Sequence, residues 1–317
     1  MLHNVIITDS GFPDNNPEKK ILETINCSLT NIQCKDEFQL KLKVSMADAL
    51  IVQWAPITRS VIECLNQCKI IVRYGIGVDN IDLVAAKEKG IPVCNVPDYC
   101  IEEVADHTIA LALAGLRQIV DTDQRVRKGD WRIILPRPVS SFSNLNFCVA
   151  GFGRIAKEVV QRAKGLRFRV KAYDPFVDLA VIKAAGVEPV SLDQLLQEAD
   201  VLSLHLPLNA DTFHFINKGI IKKMKQSSLI VNTSRGGLID STALGEAVNN
   251  KEIWGAALDV FEEEPLPLNH NLYQIPGVIL SSHVAWYSIQ SIPVLQKKAA
   301  EEVLRALKGE PLLNRVI

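Results

Sequence analysis

Charge of one sign is what this chain has least of. Across 317 residues, 35 lysines and arginines stand against 36 aspartates and glutamates, a formal net charge of −1 at pH 7. So even a balance provides no field that would draw in nucleic acid or an anionic membrane surface. Long apolar runs are missing too, and none reaches the roughly 18 residues that suggest a membrane helix. The N-terminal stretch MLHNVIITDSGFPDNN has no basic segment leading into an apolar core, so no secretory signal is expected and the cytoplasm is the expected location. The seven cysteines, at 27, 34, 64, 68, 94, 100 and 148, are odd in number and form neither a CxxC pair nor a zinc-spaced cluster with histidine. Reduced packing thiols are the expectation, with no metal site. Internal repeats, low-complexity runs and blocks of like charge are also missing.

What is present reads as a soluble globular chain, with 48% hydrophobic and 22% charged residues, long enough for two domains with separate cores. Short β-branched runs alternate with helical patterns, the signature of parallel sheets covered by helices. A first set reads NVIITDS, ADALIVQWA, KIIVRYGIG and PVCNV; a second, from about residue 146, reads NFCVAG, RVKAYD, DVLSLHLP, SLIVNT, GAALDV and VILSSH. Between the sets, CIEEVADHTIALALAGLRQIVDTDQRVRKGDW reads as one long helix, followed by a proline- and serine-rich linker, LPRPVSSFSN. The amphipathic SIPVLQKKAAEEVLRALKGE has no strand after it in the second set and is expected to return to the first domain. The prediction is therefore a discontinuous domain, 1–98 plus 288–317, a second domain over 99–287, and a cleft with two hinge crossings between them.

Gly151-Phe152-Gly153-Arg154-Ile155-Ala156 lies between a strand and a helix pattern. In a dinucleotide-binding turn the first glycine permits the tight bend and the second lets backbone approach a pyrophosphate. The third position needs only a small side chain, and the helix N-terminus offers unpaired N–H groups to phosphate. The next strand ends at Asp174, 23 positions after Gly151, close to the roughly 20 expected for the carboxylate that binds the ribose hydroxyls and repels a 2′-phosphate. NAD is favoured over NADP.

Three later strands each end in an ionisable residue: LIVNTSRGG in Arg235, ALDVFEEEP in Glu264 before Pro265, and VILSSH in His283. The C-terminal edge of an open parallel sheet is where ligands bind. A guanidinium grips a carboxylate with two parallel hydrogen bonds, and a histidine moves a proton near neutral pH with its tautomer fixed by a carboxylate. Together they suit hydride transfer to or from a carbon whose oxygen must gain or lose a proton. Spacing alone does not select Glu264 from Glu262 and Glu263, which could be its solvated companions.

YGIGVDNID, GIPVCNVPDYCIEEVADHTIALAL, GFGRIA, YDP, NTSRGGLID, GAALDVFEEEP and SSHVAW, in this order, resemble the NAD-dependent, D-isomer-specific 2-hydroxyacid dehydrogenases over essentially the whole chain. The resemblance implies α/β architecture with two doubly wound parallel-sheet domains, a flavodoxin-like substrate domain and a Rossmann NAD domain. It implies reversible reduction of a 2-oxo acid to the D-2-hydroxy acid by NADH, with His283 as general acid/base, Glu264 as its partner and Arg235 on the substrate carboxylate and carbonyl. Cofactor contacts implied are Gly151, Gly153, Arg154, Ile155, Asp174, His205, Pro207, Thr233, Ser234, Asp259 and Ala285. Substrate contacts implied are Ile76, Gly77 and Trp286, the amides of Ile76 and Gly77 holding the carboxylate; Gln53 and Trp54, ending the strand ALIVQWA, are expected as further pocket residues from the other side of the cleft. A homodimer is implied as well. HVAWYS is similar to the subgroup that includes the C-terminal-binding corepressors, which makes an NAD(H)-gated protein-binding module one alternative; 3-phosphoglycerate dehydrogenase is another. The expected pocket shows no evident arginine for a substrate phosphate, which weighs against the latter. Asn144-Leu145-Asn146, where relatives carry a Gly-Lys-Thr-like turn, departs from the family pattern.

Overall fold

Strands that are apolar along their whole length, such as ALIV and LIVN, can be buried on both faces only in a parallel sheet sandwiched by helices. The computed structural model, which describes residues 2–135 and 137–317, contains two such sheets. In the first, β1 (His3–Ile7), β2 (Cys27–Asn31), β3 (Ala49–Val52), β4 (Ile70–Arg73) and β5 (Val93–Cys94) lie in the order β2-β1-β3-β4-β5. The second is built from β6 (Asn146–Ala150), β7 (Arg169–Tyr173), β8 (Glu188–Pro189), β9 (Val201–Leu204), β10 (Leu229–Asn232), β11 (Gly255–Leu258) and β12 (Val278–Leu280). Their order is β12-β11-β10-β9-β6-β7-β8, and every pairing between named strands is parallel. The first order is that of flavodoxin-like sheets; the second is the dinucleotide-binding order with one further strand.

The chain divides into two compact units, one running to Cys100 and resuming over Tyr287–Ile317, the other spanning Ile101–Trp286. In the first, the helix Ser291–Lys308 lies against the helix Asn16–Leu22 and against β3 and β4. Gln296, on that last helix, donates to the Asp14 carbonyl at 2.7 Å and to buried Glu18 at 3.1 Å. In the second, the sheet separates two apolar layers. One is centred on Leu202, Ile230, Leu244 and Ala256; the other sets Ala105, Ile109 and Ala112 against Val159, Val160 and Leu229.

Three features differ from expectation, each for a local reason. The segment CSLTN pairs as β2 at a sheet edge, half-buried and therefore without a strong apolar pattern. The two-residue β8 at the other sheet's edge contains Pro189 and is too short to announce itself. The long helix is two, Ile101–Leu116 and Ile119–Arg127. Buried Gln118 turns left-handed (φ 51°) at the break, and its Nε2 donates to the Arg137 carbonyl at 3.0 Å. All seven cysteines are free thiols. No helix among the described residues is long and apolar enough to cross a membrane.

Candidate active site

The phosphate-type turn follows β6. Gly151 has φ +92°, and a Cβ there would strike the His205 carbonyl, so only glycine serves. A Cβ on Gly153 would meet nothing within 4 Å. The helix Arg154–Gly165 that follows starts without a side-chain cap on its first N–H groups, an arrangement suited to an anionic ligand. Asp174, at the end of the neighbouring β7, accepts from the Phe152 amide at 2.8 Å and from the Phe176 amide at 2.9 Å. The carboxylate therefore both caps its own turn and is fixed beside the glycine turn, with acceptor capacity left for ribose hydroxyls. These residues fit a dinucleotide.

Past the ends of β9 and β10 lie four more of the expected cofactor residues, His205, Pro207, Thr233 and Ser234. Burial pushes the His205 pKa down to about 4, so the ring is neutral at pH 7; its Nε2 lies 2.9 Å from Ser203 Oγ. Pro207, in the same loop, is exposed. Thr233 Oγ1 is 2.7 Å from Thr108 Oγ1. The Ser234 hydroxyl donates to the Leu204 carbonyl at 2.7 Å and its amide to Asn232 Oδ1 at 3.0 Å, so the residue ties adjacent strand ends together.

His283 Nδ1 and Glu264 Oε2 are 2.6 Å apart, with side chains about three-tenths exposed. Of the three consecutive glutamates, the one before Pro265 is therefore the one that meets the imidazole. With Nδ1–H donating to the carboxylate, the tautomer is set and Nε2 is the ring nitrogen that Glu264 does not engage. The other Glu264 oxygen accepts from the Phe261 amide at 2.9 Å, which fixes the carboxylate from its own loop.

His283 has φ 55°, a left-handed conformation that a non-glycine residue holds at a cost of about 1–3 kcal/mol. Asp259 supplies the hydrogen bonds that keep it there. Its carbonyl accepts from the His283 amide at 2.8 Å. Its fully buried carboxylate accepts from the Ser281 hydroxyl at 2.6 Å and from the amides of Val284 and Ala285 at 3.1 and 2.9 Å. Burial raises the Asp259 pKa, but hydrogen bonds involving His107, Ser281, Ala285 and Val284 outweigh it, and the net value is lowered. His107 Nε2 completes the group, 3.0 Å from Ser281 Oγ. Trp286 ties back onto the turn, its Nε1 donating to the His283 carbonyl at 2.8 Å. The two residues expected on cofactor and substrate, Asp259 and Trp286, thus both hold the turn of His283 in place.

Arg235 follows β10 at the same sheet edge, and its Nη1 donates to the Ser234 carbonyl at 2.6 Å. A Cβ on Gly236 would overlap the Phe261 carbonyl carbon and oxygen. The strand end carrying Arg235 is therefore pressed, backbone to backbone, on the loop carrying Glu264.

In the first unit, the turn after β3 holds Gln53 and Trp54. Gln53 is buried, with Oε1 accepting from the Gly11 amide at 2.7 Å, which makes it a loop tie. Trp54 is 39% exposed and has the Arg73 guanidinium 5.4 Å from its ring centroid. Asp9, at the end of β1, went unread in the sequence. Its buried carboxylate accepts from the amides of Gln53, Trp54 and Ala55 at 3.3, 2.8 and 3.0 Å. After β4, Gly75 has φ +141° and the Ile76 carbonyl accepts from Asn95 Nδ2 at 2.6 Å, shaping the Ile76–Gly77 turn. Arg73 also went unread; it stands beside Gly75 at this edge.

Comparison with known proteins agrees with this fold. Residues 109–285 match the family model described as "D-isomer specific 2-hydroxyacid dehydrogenase, NAD binding domain". The chain belongs to this family. It is 36% identical to a glyoxylate reductase of Korarchaeum cryptofilum over 84% of this chain and 82% of that one. With a D-3-phosphoglycerate dehydrogenase of Methanocaldococcus jannaschii it shares 37% identity over 98% of its own length but only 59% of that enzyme's. The solved D-lactate dehydrogenase of Aquifex aeolicus, complexed with NAD and lactic acid, superposes with a TM-score of 0.87 at 28% identity, covering 97% of this chain and 96% of that one. The protein is an NAD-binding oxidoreductase of the 2-hydroxyacid dehydrogenase family.

Proposed function

We propose that this dehydrogenase reversibly reduces a small 2-oxo acid to its D-2-hydroxy acid with NADH. The observation that carries the reading is the 2.6 Å contact between His283 and Glu264 at the sheet edge where Arg235 also ends. In this reading Gly151, Gly153, Arg154 and Ile155 hold the pyrophosphate and Asp174 the adenosine ribose, and bound NADH supplies the hydride. The Arg235 guanidinium grips the substrate carboxylate and polarises the C2 carbonyl. Protonated His283, steadied by Glu264, delivers a proton from Nε2 to the carbonyl oxygen as negative charge develops there; in the oxidative direction neutral Nε2 takes it back. The Ile76 and Gly77 amides are assigned to the substrate carboxylate on the family resemblance.

The test is loss of NADH absorbance with glyoxylate, pyruvate, hydroxypyruvate and bulkier aryl or alkyl 2-oxo acids. At least one should turn over, and silence across the panel would remove the reading. NADH should outperform NADPH by at least about tenfold, since a carboxylate at the ribose repels a 2′-phosphate. Asp174→Ala should narrow that preference; an unchanged ratio would detach Asp174 from cofactor choice.

A second reading, 3-phosphoglycerate as substrate, is favoured by Arg73, which puts a permanent cation beside Trp54 and Gly75. NAD-dependent oxidation of 3-phosphoglycerate would support it. Turnover of unphosphorylated acids alone would reject it.

A further inference from the structure

A second histidine–carboxylate pair stands at the same edge of the seven-stranded sheet, outside the proposed chemistry. His214, in the loop after β9, has Nε2 2.6 Å from Glu262 Oε1. The other Glu262 oxygen accepts from the Ser241 amide at 3.1 Å and from the Ser241 hydroxyl. Burial pushes the Glu262 pKa up, but hydrogen bonds from Ser241 and His214 outweigh it and the net value falls. The carboxylate is therefore ionised at pH 7 and Nε2–H of His214 donates to it. So Glu262, which spacing alone did not distinguish from Glu264, is a junction of three segments.

His214 is itself anchored. It has φ 51°, its amide donates to the Gly237 carbonyl at 2.8 Å, and the Phe213 ring stacks on its imidazole with centroids 3.9 Å apart. Gly237 lies two residues after Arg235, and Glu262 two residues before Glu264. His214 thus grips the Arg235 segment by its backbone and the Glu264 loop by its side chain, while Gly236 and Phe261 press the two segments together without room for a Cβ.

We propose that His214 is a positioning residue, which through Glu262 holds Arg235 and the Glu264–His283 pair in one register around the substrate. The proposal rests on the dehydrogenase reading above. Misplacement by about 1 Å at a reacting centre costs on the order of a hundredfold in rate, so a clamp of this kind acts on turnover while touching neither substrate nor cofactor.

His214→Asn accepts the left-handed backbone but is too short to reach Glu262; Glu262→Gln removes the charge from the other side. Each should lower kcat about ten- to a hundredfold and raise KM for the 2-oxo acid, with NADH affinity within about twofold of the parent. The double variant should be no worse than the more severe single one, because both remove the same contact. Hydrogen exchange should quicken together in 235–238 and 261–264. Wild-type kinetics with only a lower melting temperature, or fully additive losses, would overturn the proposal. If the parent enzyme turns over no 2-oxo acid, the dehydrogenase reading fails and exchange alone decides. Faster exchange in both segments supports the clamp, and faster exchange confined to 212–216 refutes it.

Discussion

Replacing His283 by asparagine should lower kcat by about 10²–10⁴-fold, the usual worth of general acid–base help, while NADH affinity stays within a few-fold of the parent. Asparagine is the informative choice because position 283 is left-handed, with φ 55°, and asparagine tolerates that region better than alanine does. The turn is held mainly through its backbone, by Asp259 and Trp286, so the variant should keep its shape and lose only the imidazole. Steady-state turnover alongside NADH fluorescence titration makes the separation. Loss of NADH binding in step with kcat would mean that residue 283 is structural. A fall below about tenfold would mean that the proton comes from elsewhere.

Arg235→Ala should reduce kcat/KM for the 2-oxo acid by about 10²–10⁴-fold, since each hydrogen bond to a charged partner contributes about 1.5–3 kcal/mol and the guanidinium is assigned two. Arg235→Lys should recover only part of this, because an ammonium keeps the charge but not the planar fork. The loss should fall on kcat as well as KM, since the polarised carbonyl belongs to the transition state. A rise in KM alone would reduce Arg235 to a ground-state anchor. No effect from either substitution would remove it from the site. The neighbouring Gly236 should be left intact in such experiments, because any Cβ there collides with the Phe261 carbonyl and would disturb both loops at once.

The legibility of this molecule in its sequence follows from burial. Strands such as ALIV and LIVN are covered on both faces and so must be apolar throughout, which makes them readable without a structure. The edge strands CSLTN and Glu188–Pro189 face partners on one side only, and nothing in their composition demanded a sheet. The helix break at Gln118 was hidden because glutamine is a good helix former, and the hydrogen bond that accompanies its turn comes from a carbonyl 19 residues away.

The same distinction runs through the candidate site. Gly151, Gly153 and Asp174 are readable because a tight turn and a strand end impose local rules on residue type. Arg235, Glu264 and His283 are readable as strand-end ionisable groups, though selecting Glu264 from three glutamates needed the family resemblance. What stayed hidden acts across the chain. His214 meets Glu262 over 48 positions, Asp9 meets the Gln53–Ala55 amides over 44 to 46, and His107 meets Ser281 over 174. No spacing rule reaches so far; only the sheet order brings these groups together. Arg73 was hidden differently, as one more charged residue at a strand end, until the structure set its guanidinium over Trp54.

A crystal of the protein with NAD and oxamate, a 2-oxo acid mimic, tests the central claim most directly. One oxamate oxygen should lie about 2.6–3.2 Å from both His283 Nε2 and the Arg235 guanidinium, beside the nicotinamide ring, with Glu264 still on Nδ1. Oxamate bound away from His283, or an imidazole turned from Glu264 in the complex, would contradict the account.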